Sequence, residues 1–230
     1  MKIAIMQPYF FPYAGYFRLF AAVDLFVILD CVQFPRRGWV HRNQLTDHQG
    51  QSQWLTLPLM KGDRDSTRIC DLCFREDAKT SLLEQFQRFP TLIKLQNTHP
   101  ALYQSVMHLE CPPTQYLVDT LAYVTHFLGI SRPLLRSSEL EVSPALKGQD
   151  RIIEIAKQLG AKHYINAPGG RDIYDADAFS AAGLTLHFLS DHKGSFRSML
   201  ERLVQEDACD IAAEICNNAL LDCVSLEAAK

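Results

Sequence analysis

Three clusters of polar and aromatic side chains each follow a predicted strand, and their residue types suit the binding of an anionic ligand. They are the aromatic run at residues 7–17, the basic run at 30–43 and the diglycine run at 166–172. Guanidiniums bind phosphate or carboxylate as a planar fork, aromatic rings stack on a base or a sugar, and glycines let a backbone approach closely. Because the carboxyl ends of parallel strands meet at one sheet edge, we predict one shared polar site there.

The side chains in these clusters are suited to different roles. Arg36 and Arg42 are assigned to anion binding, with Arg42 also proposed as catalytic, and Trp39 is assigned to stacking. Asp30 and His41 are the candidates for a general acid or base, since a carboxylate and an imidazole both exchange protons readily. The other predicted substrate-binding residues are Gln7, Pro8, Gly15, Tyr16, Gln33, Asn43, Gly169, Gly170, Asp172 and Ser198.

Each cluster also has a plain structural explanation. The first is equally explained as an aromatic plug at one end of the sheet, the second as a solvated basic loop, and the third as a tight turn. A fourth segment, residues 192–198, follows the last predicted strand, where a helix N-terminus would offer N–H groups and hydroxyls to a phosphate. The sequence has no P-loop, G-x-G-x-x-G, G-x-S-x-G or H-E-x-x-H motif, and we predict no metal site.

The elements that position these clusters alternate between strand and helix. Strands are predicted at residues 3–6, 25–29, 133–136, 163–166 and 184–189, with helices at 13–22, 150–159 and 175–182. Strict alternation predicts an α/β fold with a parallel, right-handed crossover sheet. We expect a single domain over residues 1–230, with a helical insertion at about 77–129 and a C-terminal helical segment at about 195–223. Further strands are predicted at 53–58 and, with Cys70, Leu72 and Phe74 on one face, at 70–74.

Composition excludes some classes of function. The formal net charge of −3 argues against general nucleic-acid binding, and no apolar run is long enough to span a bilayer. We therefore expect a cytoplasmic protein. The seven cysteines have no framework spacing and are interpreted as buried, reduced thiols. Cys209, Cys216 and Cys223 recur every seven residues, which predicts a helical stripe packed into the core.

The chain resembles a known family in a set of motifs spread from its start to about residue 203. They include Gln7-Pro8, Gly15-Tyr16-Phe17, Arg42-Asn43 and Pro168-Gly169-Gly170. These motifs are similar to those of the WbqC-like protein family, which is often found among genes for bacterial O-antigen and other surface polysaccharides. The sequence departs from the family pattern at Met6, Cys31 and His41, where histidine, a second acid and an amide are usual.

A more distant resemblance suggests a mechanism. A first strand, a proline-containing loop, a helix with an early glycine and a second strand led by Asp24 are similar to the HIGH-motif nucleotidyltransferases. This resemblance implies a Rossmann-like, HUP-type sheet and chemistry by positioning and charge stabilisation of phosphates. Residues 194–202 are similar to the serine-rich helix start of those enzymes. The paired histidines of the motif are absent, and Tyr16 stands where the last would fall.

These resemblances imply a transferase that acts on a nucleotide-linked sugar or aminosugar in lipopolysaccharide O-antigen assembly. The implied ligand is a nucleotide or nucleotide sugar, Mg²⁺ is left open as a cofactor, and no cofactor is assigned with certainty. The alternative belongs to a different class of protein: a non-catalytic subunit. Such a subunit would bind either the same ligand or a partner enzyme of that pathway. A third hypothesis is acyl or aminoacyl transfer to an amino sugar, and a homodimer remains open.

Overall fold

A computed structural model describes residues 1–222 of the protein. Its centre is a six-stranded sheet in the order β5-β2-β1-β6-β7-β8. The first five of these strands run parallel, and the short β8 is antiparallel to β7. The six strands are β1 (Lys2–Met6), β2 (Leu25–Ile28), β5 (Leu134–Arg136), β6 (His163–Asn166), β7 (Thr185–Leu189) and β8 (Leu221–Asp222).

Helices cover both faces of the sheet and form two hydrophobic cores. One core packs α1, α9 and α10 with the helices of residues 78–127, while the other packs α7 and α8. In the first core the rings of Phe20 and Phe26 stack at 4.0 Å between centroids. The helices are α1 (Ala14–Ala22), α2 (Ala78–Phe86), α3 (Pro90–Ile93), α4 (Leu95–Thr98), α5 (Pro100–Met107), α6 (Pro113–Phe127), α7 (Gly148–Gln158), α8 (Ala176–Ala181), α9 (Met199–Gln205) and α10 (Ala208–Asn217).

The strand order reverses between β1 and β6. From β1 the chain proceeds outward through β2 to β5, and it then returns to place β6 and β7 on the other side of β1. Ligands of open α/β sheets bind beyond the carboxyl ends of the strands near such a reversal. The expected Rossmann-like α/β fold is thus confirmed, and the loops after β1 and β6 flank this position.

A separate two-stranded hairpin stands beside the main sheet. It consists of β3 (Arg42–Thr46) and β4 (Ser52–Thr56), paired antiparallel. The carboxylate of Glu201 on α9 accepts a hydrogen bond of 2.7 Å from the backbone N–H of Thr46, which ties the hairpin to the C-terminal helices. The sequence predicts no strand at residues 42–46. The reason is that Leu45 is the one apolar side chain in this strand.

Two other predictions of local structure are wrong. Residues 70–74 do not form a strand, because Ile69–Asp71 makes a 3-10 turn in which the N–H of Leu72 bonds to the carbonyl of Ile69. The cysteine stripe of α10 is exposed at Cys209 and Cys216, since Ile211 and Ile215 occupy the buried face of that helix. Cys223 lies outside the described residues. All six described cysteines are free and at least partly exposed, rather than buried as expected.

Three helices are followed closely by a glycine in the left-handed region. Gly129, Gly160 and Gly183 each have a positive φ after α6, α7 and α8. The N–H of Ile130 reaches back to the carbonyl of Thr125, which satisfies a group that the helix end would otherwise leave unpaired. Within residues 1–222, no helix has the length and apolar character needed to cross a membrane.

Candidate functional site

An aromatic cleft of about 420 Å³ lies where three distant segments meet beside the sheet. The loop after β1, the segment that leads into β3 and the loop after β7 each contribute to it. Four aromatic rings and two amides face this space, which has the volume of a small-molecule site. We call this space the aromatic cleft, and its lining residues are Tyr9, Pro12, Tyr13, Trp39, Asn43, Gln44 and Phe196.

The loop after β1 is fixed mainly by Asn43. Its side-chain amide donates hydrogen bonds to the carbonyls of Phe10, at 2.9 Å, and of Phe11, at 2.6 Å. The hydroxyl of Ser198 donates to the same carbonyl of Phe11 at 3.0 Å and also caps the first turn of α9. Phe11 has a φ of 45°, which is uncommon for a bulky residue. Two predicted binding residues, Asn43 and Ser198, therefore hold the loop in this conformation.

The C-terminal wall of the aromatic cleft is a group of three packed rings. Tyr13 stacks on Phe196 at 5.0 Å between centroids, and His192 packs edge-on against both rings. Phe196 is 70% exposed despite these contacts. A Cβ at Gly15 would lie 2.2 Å from the Tyr13 ring, so a side chain there would displace it. Gly15 thus shapes the cleft and need not touch a ligand.

The opposite wall is formed by Trp39, which is 42% exposed and packs 5.2 Å from Trp54. The guanidinium of Arg42 lies 4.1 Å from the centre of the Trp54 ring. Its N–H groups donate to the carbonyls of Arg37 and Gly38. Arg42 therefore supports the turn that presents Trp39, and its charge is used within the protein rather than in the cleft.

Asp30 is fully buried at the end of β2. Its carboxylate accepts hydrogen bonds from the hydroxyls of Ser137 and Ser138, the N–H of Ser138 and the guanidinium of Arg136, all at 2.7–3.0 Å. These donors lie at and just after β5, so Asp30 joins the ends of two neighbouring strands. With both oxygens occupied and no exposed surface, the group is a structural carboxylate rather than an accessible base.

His41 and Arg36 lie away from the aromatic cleft, on a second cavity of about 340 Å³. Burial, with a further contribution from Arg42, lowers the pKa of His41 to about 4. The imidazole is therefore neutral at physiological pH. Its Nδ1 atom is buried without a hydrogen-bond partner in the described part of the chain, and the ring packs edge-on against Phe34. Arg36 donates to the carbonyl of Gly62. Gln33 lies nearby, on an adjacent basic cavity, and donates to the carbonyl of Arg64.

The residues next to the strand reversal are mostly structural. The Tyr16 hydroxyl donates to the carbonyl of Gln7 at 2.9 Å, and burial raises the pKa of this phenol well above its usual value. Pro8 is buried beside them. The proton of Tyr16 is thus retained, and the hydrogen bond joins the first helix to the end of β1.

The diglycine segment lies at the carboxyl end of β6 but does not line the aromatic cleft. Gly170 is buried, and a Cβ there would lie 2.2 Å from the Asn166 amide. Gly169 and Asp172 are exposed. The next residue, Arg171, turns toward β7 and β8, where it contacts the carbonyl of Leu189 and the carboxylate of Asp222. The predicted single site is therefore divided, and this third cluster stands apart.

Comparison with known proteins identifies the family. A family model described as "WbqC-like protein family" matches residues 7–201. The chain belongs to this family. It is also similar to "Uncharacterized protein Rv1507c" of Mycobacterium tuberculosis (strain ATCC 25618 / H37Rv), with 27% identity over 181 residues that make up 77% of each chain. No solved structure matches the chain at a significant level.

The WbqC-like match begins at Gln7 and ends on α9, so it contains every residue that lines the aromatic cleft. Sequence reasoning singled out Trp39 and Asn43 but missed the other cleft residues as individuals. Tyr9, Pro12 and Tyr13 belong to the aromatic run, and Phe196 belongs to the fourth segment. Both segments were predicted to bind a ligand, although these residues were not singled out. Gln44 carried none, because the strand that places it was not predicted.

Proposed function

We propose that this WbqC-like protein is a transferase that binds a nucleotide-linked sugar or aminosugar used in bacterial surface-polysaccharide assembly. The observation that carries this proposal is the aromatic cleft, where rings from three segments surround a space of about 420 Å³. Aromatic rings stack on the faces of sugars and nucleobases, and side-chain amides match their hydroxyl and carbonyl groups. The family's association with polysaccharide genes supports the choice of ligand.

Tyr13, Trp39 and Phe196 are the side chains suited to stack on the ligand, since all three line the cleft and two are strongly exposed. Gln44 is the amide with freedom to orient a ligand, because the Asn43 amide is already bound to Phe10 and Phe11. Catalysis in such a site depends on holding the two reacting groups in place.

Tryptophan fluorescence tests the binding step, because the chain has two tryptophans and one of them lines the cleft. Titration with UDP-N-acetylglucosamine and UDP-glucose is expected to give a saturable change. Phe196→Ala is expected to weaken binding about tenfold through the loss of one stacking partner. Ile173→Ala is the matched control, since Ile173 is 69% exposed, like Phe196, but lies outside the cleft. The absence of a saturable signal at millimolar ligand would refute the proposal.

A non-catalytic ligand-binding subunit is the second candidate function. Two observations favour it: Asp30 is enclosed by hydrogen bonds, and His41 lies on a different cavity from the aromatic rings. A turnover assay separates the two candidates. The protein is incubated with the nucleotide sugar and a pathway extract, and release of the nucleotide is followed by phosphorus NMR. Release that requires the protein supports a transferase, whereas binding without release supports the binding subunit.

A further inference from the structure

The second cavity, of about 340 Å³, shares no lining residue with the aromatic cleft. It lies between residues 34–41, the chain that follows β4, and α2. Its walls combine long cationic side chains with small neutral polar groups. Its charged and polar lining side chains are Arg36, His41, Thr56, Lys61, Thr67, Arg75, Ser81 and Gln85.

The charge of this cavity has one sign. Arg36, Lys61 and Arg75 come from three separate segments, and no carboxylate of residues 1–222 belongs to the lining. Asp63 accepts hydrogen bonds from its own loop, and Asp77, which is not a lining residue, pairs with the lining Arg75. Converging cations without a carboxylate attract an anion and repel a cation.

A second feature of the cavity points to a ligand. The Nδ1 atom of His41 is buried and has no hydrogen-bond partner among residues 1–222. A buried polar atom without a partner is unusual and costs free energy. The adjacent Gln85 is bound to the backbone of Thr56 in both directions, so it does not satisfy this nitrogen.

A third feature is the basic cavity on the other side of Arg36. It shares Phe34 and Arg36 with the second cavity, which we call the His41 cavity, and it adds Arg37 and Arg64. The guanidinium of Arg36 reaches the carbonyl of Gly62 and so joins the two loops that bound both cavities. The positive charge is therefore continuous across this face of the molecule.

We infer that the His41 cavity is a second ligand site, which binds a phosphate group of a small molecule independently of the aromatic cleft. Arg36, Lys61 and Arg75 supply the positive charge, and Thr56 and Ser81 supply hydroxyl groups. The imidazole of His41 donates or accepts a hydrogen bond, according to its tautomer. This inference goes beyond the proposed function, because it assigns a site that the nucleotide sugar in the cleft does not use.

Calorimetric titration with inorganic pyrophosphate, and separately with inorganic phosphate, tests this site at constant ionic strength. We expect saturable binding of one pyrophosphate per chain. The double variant Lys61→Ala/Arg75→Ala is expected to weaken it about tenfold or more, because charge-assisted contacts are lost. Both side chains are exposed, so the variant is expected to fold.

Two controls make the outcome decisive. Lys79→Ala/Lys94→Ala removes the same number of charges from exposed positions outside the cavity and is expected to leave binding unchanged. Phe196→Ala is also expected to leave pyrophosphate binding unchanged. Absence of saturable binding, or equal weakening in the lysine control, would overturn the inference. Weakening by Phe196→Ala would overturn the independence of the two sites. The fluorescence test of the cleft uses a different probe, so either proposal can fail alone.

Discussion

Individual buried side chains decide which predicted functional residues reach a ligand. Asp30, Asn43 and Ser198 have the types expected in a binding site, yet each is committed to the backbone or side chains of a neighbouring element. A polar residue that follows a strand can either bind a ligand or stabilise the fold, and its local sequence is the same in both cases. The difference arises from distant partners such as Ser138 and Phe11, which no spacing within the sequence reveals.

At Asp30, substitution by alanine is expected to lower the free energy of unfolding by about 3 kcal/mol. The variant leaves Arg136 without its carboxylate and removes the acceptor of three further hydrogen bonds. Urea denaturation measures the change. Asp172→Ala serves as the control, because that aspartate is exposed, and a change of about 0.5 kcal/mol or less is expected. An equally small effect at Asp30 would contradict its structural role.

The lowered pKa of His41 predicts a pH dependence of stability. In the unfolded chain the imidazole takes up a proton near pH 6.5, whereas burial beside Arg42 delays this to about pH 4 in the folded protein. The contribution of the neutral His41 imidazole to the free energy of unfolding is therefore complete above about pH 6.5. It is lost as the pH falls from there toward 4.

Urea denaturation of the parent and His41→Phe at pH 7, 5.5 and 4.5 measures this dependence. The phenyl ring replaces the packing against Phe34 but has no titratable group. We expect the parent to lose stability relative to the variant as the pH falls, and NMR to place the imidazole midpoint near pH 4. Parallel pH profiles for the two proteins would contradict the prediction.

Among the elements, those with clear periodicity were predicted well. The first two parallel strands contain continuous apolar runs, and α6 and α7 are followed closely by Gly129 and Gly160, so sequence alone places these elements. Only the second strand of the hairpin, β4, was predicted. The first strand, β3, is polar, and its position depends on hydrogen bonds made by Asn43 and Glu201. That hairpin carries one wall of the aromatic cleft, so the missed element is the one that completes the site.

Asn43→Ala is expected to loosen the loop after β1. The substitution leaves the carbonyls of Phe10 and Phe11 without their main donor, and we expect a loss of about 2 kcal/mol in the free energy of unfolding. Hydrogen exchange of residues 8–12 should accelerate together with this loss. Gln44→Ala is the neighbouring control, with unchanged exchange in the loop. Equal hydrogen exchange of residues 8–12 in the two variants would show that Asn43 does not stabilise this loop.

At the scale of the whole molecule, the first helix is joined to the end of the chain. Arg18 on α1 is 1% exposed, and its guanidinium donates to the carbonyls of Ser190 and Asn218 at 2.6–2.7 Å. These partners are separated from it by 172 and 200 residues. The sequence predicts a C-terminal helical segment, but a lone arginine in an apolar helix gives no indication of this connection.

Arg18→Met is expected to lower the free energy of unfolding by about 3 kcal/mol, because it keeps the bulk of the side chain but leaves buried acceptors unpaired. Hydrogen exchange is expected to rise around residues 190 and 218 in particular. Arg88→Met is the control at an exposed position, with little change in either measurement. Unaltered exchange at both segments would show that Arg18 does not connect them.

The contact of Tyr13 with Phe196 means that the aromatic cleft is completed late during synthesis. The ribosome releases the loop after β1 first, but the ring that backs it belongs to the last fifth of the chain, and the Asn218 carbonyl that anchors α1 follows later still. A nascent chain that carries every strand up to β7 therefore still lacks one side of the cleft. The aromatic cleft is complete only once Phe196 has been synthesised.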